Sequence, residues 1–114
     1  MSENKTKLEE KIRTEPVSWD KDLVYQKDGV VSKTLTDQKT GTITVFAFDE
    51  GQGLSEHSAP FDAFVHILDG EMEITIGGKP NKVNKDQSII MPADIPHGLK
   101  ALKASKMLLV MIRN

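Results

Sequence analysis

A chain of 114 residues suffices for one domain and leaves little for a second. With 38% hydrophobic and 28% charged residues it has an ordinary globular composition, and aromatics at 5% leave the core to Val, Ile, Leu and Met. A net charge of −2, with no window concentrating Lys and Arg, argues against nucleic acid or a membrane surface as partner, and the lack of cysteine excludes disulfides, thiolate metal ligands and thiol nucleophiles.

Residues 1–22 read as an N-terminal arm. Its first part is charged, with no apolar signal core, and no run in the chain approaches bilayer length, so a cytoplasmic protein is expected. Leu8 and Ile12, one helical turn apart, support at most a short surface helix, and Pro16 closes it.

From residue 23 to 114 the pattern is that of short strands. Val30-Val31 leads into Ser32–Thr36, and Asp37–Gly41 is a turn. Thr42–Phe48 is rich in β-branched and aromatic residues, and Gly51-Gln52-Gly53 breaks it. Ala63–Leu68 is a further strand, followed by Asp69-Gly70. Glu71–Ile76 alternates polar and apolar, as a strand with one wet face does, and Gly77-Gly78 signals a tight hairpin. Ser88–Met91 and Met107–Ile112 complete the series, with Met72, Met91, Met107 and Met111 as core filler. Turn signals spaced about 8–12 residues apart without a long helix predict an all-β sandwich or barrel.

Three histidines carry most of the possible chemistry: His57, His66 and His97. His66, three residues past Ala63, should point away from the core. Ser55, Ser58, Ser88 and Ser105 have no triad-like context, and the glycine pairs open no helix, so neither a hydrolase nor a phosphate cradle is indicated.

The spacing of Gly51, His57 and Gly70, and of Pro92 and His97, resembles the two motifs of the cupin superfamily. The first motif has two histidines, a glutamate and two glycines; here Ala59 stands at the second His position and Ala63 at the Glu position. In the second motif Pro92 and His97 match, while Asp86, Asp94 and Ala101 fill the remaining places. The resemblance covers roughly Val30 to Ile112 and looks like the small single-domain bacterial type with a degenerate first motif. It implies an antiparallel, jelly-roll-like cupin barrel of about ten short strands, preceded by a short irregular or helical arm. The superfamily spans dioxygenases, isomerases, epimerases, storage proteins and sugar sensors, so the fold does not fix the function.

In metal-binding cupins the four motif side chains converge on a divalent metal. At those positions this chain has His57, Ala59, Ala63 and His97, and alanine offers no lone pair. Two imidazoles remain where stable sites usually have three or four ligands. Strand parity places Glu56 and Asp62 on the opposite face from His57 and Ala63. The expectation is an apolar pocket formed by His57, Ala59, Ala63, His97, Leu99 and Ala101. It would take a small organic ligand with one or two polar groups, with no cofactor and no assignable reaction or catalytic residue. The alternative is a metal-dependent enzyme, dioxygenase- or isomerase-like. It would hold Fe, Mn, Ni or Zn on His57 and His97, its shell completed from outside the motif or by water and substrate.

Ala63–Leu68 is apolar on both faces: Ala63, Val65 and Ile67 on one, Phe64 and Leu68 with His66 on the other. Both faces must be covered. Either the stretch around Trp19, Leu23, Val24 and Tyr25 folds over the second face, or a second copy does. A homodimer is expected, as the resemblance also implies, with His66 at or near its interface and association mildly sensitive to pH.

Overall fold

The computed structural model describes residues 14–113, so the helix expected around Leu8 and Ile12 lies outside it. A single helical turn, α1 (Trp19–Asp22), precedes nine strands among the described residues. These are β1 (Val30–Gln38), β2 (Gly41–Phe48), β3 (Gly53–His57), β4 (Ala63–Asp69), β5 (Glu71–Ile76), β6 (Lys79–Asn84), β7 (Ser88–Met91), β8 (His97–Ala101) and β9 (Ser105–Ile112). They form a five-stranded sheet in the order β1-β2-β9-β4-β7 and a four-stranded sheet in the order β3-β8-β5-β6. Every pairing is antiparallel.

Nine strands among the described residues accord with the roughly ten that the resemblance implies. Gly53, read as a breaker, opens β3. Strands β3, β6 and β8 escape pattern reading: β3 and β6 are the two edges of their sheet, and the central β8 is five residues long with Leu99 as its one large apolar side chain. Edge position also explains how β6 tolerates Pro80, which has no N–H to donate.

The core lies between the sheets. Val65, Ile67, Met72, Ile74, Met107 and Phe48 are fully buried there. A second cluster lies on the outside of the five-stranded sheet, where Leu23, only 1% exposed, packs on Val45 and Ala47, with Trp19, Tyr25 and Leu68 around them. The segment leading into β1 therefore folds back over part of the sheet, as the apolar second face of β4 requires. Val24 takes no part and is 68% exposed.

Polar contacts fasten this strap. The buried Lys106 donates from Nζ to the Trp19 carbonyl at 2.6 Å, and its ammonium stands 4.9 Å from the Tyr25 ring centre. Tyr25 in turn donates its hydroxyl to Asp69 Oδ2 at 2.6 Å. Burial, and then the hydrogen bond to the Asp69 carboxylate, push the Tyr25 phenol well above its ordinary range.

The connections define two ends of the barrel. Residues 58–62 join β3 to β4, and residues 92–96 join β7 to β8, at one end. The β2–β3, β4–β5, β6–β7 and β8–β9 links lie at the other. That end is closed by Ser105, fully buried, whose Oγ accepts the Glu71 N–H at 2.9 Å and donates to the Lys103 carbonyl at 2.7 Å.

The motif glycine positions share one backbone property. Gly51 and Gly70 both have φ of 84°, and Asp86 and Asp94, standing where the second motif has glycine, have φ of 69° and 66°. Aspartate is among the few residues that tolerate this left-handed region. The turns survive the replacement of their glycines.

Candidate functional site

The end of the barrel reached by the 58–62 and 92–96 links is lined by one row from each sheet. From the four-stranded sheet come His57, His97 and Ile76, directly opposite one another across β3, β8 and β5. From the five-stranded sheet come Thr42, Met111, Ala63 and Met91, in the same relation across β2, β9, β4 and β7. Ile76, Met91, Met111 and Ala63 pack within the inter-sheet core, which fixes the inward direction of these rows.

His57 and His97 are brought together, as the motif resemblance implied. Their ring centres are 4.6 Å apart and their planes meet at 70°, an edge-to-face contact. His97 is 4% exposed, whereas His57 is exposed at the lip. Each ring is oriented by its own backbone: His57 Nδ1 lies 2.9 Å from the Ser55 carbonyl, and His97 Nδ1 lies 3.1 Å from the Ile95 carbonyl. A carbonyl only accepts, so Nδ1 carries the proton in both rings and the neutral forms keep their lone pair on Nε2. Two like tautomers face the barrel mouth.

The remaining expected lining residues divide. Ala63, Leu99 and Ala101 are buried on inward faces and belong to the packed core, Ala101 toward the closed end. Ala59 does not extend a strand from His57. Strand β3 ends at His57 after a bulge between Leu54 and His57, and β4 begins in the other sheet. The parity that links positions 57, 59 and 63 is therefore interrupted. Ala59 instead sits half-buried at the rim, its carbonyl accepting the Asp94 N–H at 2.7 Å. Asp62, across the rim, accepts the Ala93 N–H on Oδ1 at 2.8 Å, which occupies part of its carboxylate in tying the two links together.

The residues present do not make a complete protein-held metal shell. Each imidazole has the tautomer that a ligating histidine needs, but positions 59 and 63 contribute methyl groups. Among the described residues no three or more His, Asp or Glu side chains gather where one ion would hold them.

Two features were not visible in the sequence. Ser88 meets His66 Nδ1 at 2.6 Å, but this pair lies on the outer face of the five-stranded sheet, remote in direction from the mouth. Thr42, 7% exposed on the inward face, has a buried Oγ1 with no hydrogen-bond partner. A threonine inside a β-branched run looks like any strand residue, so only the three-dimensional register singles it out.

Comparison with known proteins agrees with this architecture. The family model described as Cupin domain (Cupin_2) matches residues 44–113. The chain belongs to the cupin family. A conserved protein of unknown function from Streptococcus pyogenes is 40% identical, with a TM-score of 0.85 and 89% of each chain covered. A cupin 2 conserved barrel domain protein from Leptotrichia buccalis is 38% identical, with a TM-score of 0.78, over 80% of this chain and 44% of that one. The polyketide synthase CurC of Streptomyces cyaneus is 31% identical over 48 residues, which span 41% of this chain and 31% of that protein. No helix among the described residues is long and apolar enough to cross a membrane.

Proposed function

We propose that this cupin binds a small organic molecule carrying one or two polar groups at the barrel mouth, and that the bound molecule engages His57 and His97. One observation carries the reading: two imidazoles in edge-to-face contact, both with Nδ1 held by backbone carbonyls, so both offer Nε2. Neutral, they accept from a hydroxyl or a carboxylic acid; protonated, they donate to a carboxylate through charge-assisted bonds. Beside them the partly buried Ile76 and Met111 present an apolar wall, with Ala63 and Met91 of the same row buried in the core. Such a wall with a few convergent polar atoms suits a small ligand.

Histidine-resolved NMR during titration with small carboxylic acids and phenols tests the proposal. Saturable shifts of the His57 and His97 rings, lost in His97→Ala, support it; unmoved rings across both classes overturn it. The second reading, a metal enzyme using Fe, Mn, Ni or Zn on His57 and His97, is favoured by the ligating tautomers. Elemental analysis of untagged protein separates the two. Near-stoichiometric metal that disappears in the His57→Ala, His97→Ala double variant would replace the first reading with the second.

The protein is further proposed to work as a homodimer in the cytoplasm. The cysteine-free composition suits that compartment. An apolar row left uncovered on the five-stranded sheet supports the dimer.

A further inference from the structure

We infer that Asp62 is a positioning residue of the mouth: through residues 92–96 it fixes which nitrogen His97 presents to a bound molecule. The inference rests on the proposed binding role of the His57–His97 pair. Among the described residues His97 makes one side-chain hydrogen bond, from Nδ1 to the Ile95 carbonyl at 3.1 Å. Ile95 lies in the link between β7 and β8, so no strand ladder fixes the direction of its carbonyl. A neutral imidazole without an acceptor at Nδ1 can carry its proton on either nitrogen. Nε2 would then turn an N–H, not a lone pair, toward a ligand hydroxyl. The chemistry of the mouth therefore depends on how residues 92–96 are held.

The link has little support of its own. Its one internal backbone bond, from the Ile95 N–H to the Pro92 carbonyl, is long at 3.4 Å. Pro92 and Pro96 have no N–H to donate. Three ties to neighbours hold it instead. The Gly77 N–H donates to the Pro96 carbonyl at 2.8 Å, the Asp94 N–H to the Ala59 carbonyl at 2.7 Å, and the Ala93 N–H to Asp62 Oδ1 at 2.8 Å. Only the last of these comes from a side chain, so only it depends on which residue occupies the position. Asp62 directly precedes β4, and its own carbonyl accepts the Ile112 N–H of β9 at 3.3 Å. The carboxylate thus projects from the five-stranded sheet and carries the position of that sheet to the link. Its charge strengthens the bond, since an ionised acceptor holds an N–H more firmly than a neutral one does. Between Ala93 and Ile95 stands only Asp94, in its left-handed conformation, so a shift at Ala93 reaches the Ile95 carbonyl directly. His57 lies outside this chain of contacts, because its Nδ1 partner is the Ser55 carbonyl within β3.

Nitrogen NMR of the imidazoles in wild type, Asp62→Ala and Asp62→Asn tests the role, because the two neutral tautomers have distinct ring-nitrogen shifts. Spectra are taken at about pH 8, above the ordinary histidine pKa of about 6.5. Wild type should carry Nδ1–H on both rings. In Asp62→Ala the His97 signals should move to a mixture of tautomers while His57 keeps its Nδ1–H. Asp62→Asn should match wild type, since the amide oxygen accepts the same N–H. A role confined to stability would lower the melting temperature and leave the tautomers alone. Phenol, titrated at the same pH, donates its hydroxyl to an Nε2 lone pair, so it should bind Asp62→Ala about three- to tenfold more weakly than wild type. If His97 keeps Nδ1–H in Asp62→Ala, or loses it equally in Asp62→Asn, the positioning role is overturned. If phenol leaves both rings of wild type unmoved, the binding of hydroxyl ligands is overturned, and the tautomers still decide the role of Asp62. Should Asp62→Ala fail to fold, wild type decides: its Ala93 amide should resist deuterium exchange, and exchange at the rate of an unfolded chain would sink the proposal.

Discussion

His57 and His97 face each other across neighbouring antiparallel strands, 4.6 Å between ring centres, and each ring donates Nδ1–H to the carbonyl two residues before it. Alanine stands at two of the four positions where metal-binding cupins have their ligands. Restoring side chains there should restore the chemistry. In the Ala59→His, Ala63→Glu variant, the new glutamate enters from an inward position of β4, and the new histidine from the rim link that Asp94 and Asp62 hold in place. Without metal this variant should melt below wild type, because it buries an uncompensated carboxylate. With Zn, Ni or Mn at 100 times the dissociation constant, linkage should return about 2.7 kcal/mol. Thermal melting with and without each metal reads both effects, and a variant indifferent to all three metals would count against the inward placement of position 63.

The strap over the five-stranded sheet gives a stability prediction with a pH signature. Leu23 is buried against Val45 and Ala47, so Leu23→Ala should cost about 2–5 kcal/mol. Tyr25→Phe removes only the bond to Asp69, a loss of about 1–2 kcal/mol at neutral pH. Because burial and Asp69 raise the Tyr25 pKa in the folded state, the folded chain keeps this proton after the unfolded chain has lost it. The stabilisation is complete below the ordinary tyrosine pKa of about 10 and declines as pH rises beyond it. Denaturation at a series of pH values from 8 to 11 should show a decline above pH 10 (about one tyrosine's worth) that is smaller in Tyr25→Phe.

Most of the fold could be read from residues because the central strands carry their own pattern. Thr42–Phe48, Glu71–Ile76 and Met107–Ile112 match β2, β5 and β9 closely, since each lies between two partners or buries one full face. Strands β3 and β6 are sheet edges with polar sequences, and their strand character comes from the ladder rather than from side chains. The site was legible in part. The motif resemblance brings His57 and His97 together, but a bulge in β3 breaks the alternation on which the placement of Ala59 depends. Thr42 lies two strands from Ala63 and far from it in sequence, so no local pattern could join them.

Asp86 and Asp94 hold left-handed backbone conformations that the family motif gives to glycine. Replacing either by alanine should cost about 1–2 kcal/mol, the penalty of a Cβ in this region without a short polar side chain to offset it. Asp94→Gly should leave stability within about 0.5 kcal/mol of wild type, because glycine adopts the conformation without strain but loosens the unfolded chain. The contrast between the Gly and Ala variants in urea denaturation is the measurement. Equal losses for both would show that the aspartate carboxylate, not the backbone angle, matters at that turn.

The strap covers only part of the outer face. Ile43, Val110, Phe64 and Ile90 stand directly opposite one another across β2, β9, β4 and β7, forming one apolar row on that face. Phe64 is 37% exposed, Ile90 48%, and Ile112, next along β9, 62%. Four strands contribute to the row in register, so it is continuous and can meet its own copy across a two-fold axis. Such stacking of two sheets at about 10 Å would remove the row from water and continue the packing that the strap begins beside Val45 and Leu108. Light scattering at micromolar concentration should give twice the 12.7 kDa chain mass. Phe64→Lys with Ile90→Lys should halve that mass with the β-sheet circular dichroism unchanged, because neither side chain belongs to the inter-sheet core. A monomeric wild type with residues 1–25 intact would remove the dimer and leave the N-terminal arm to cover the row.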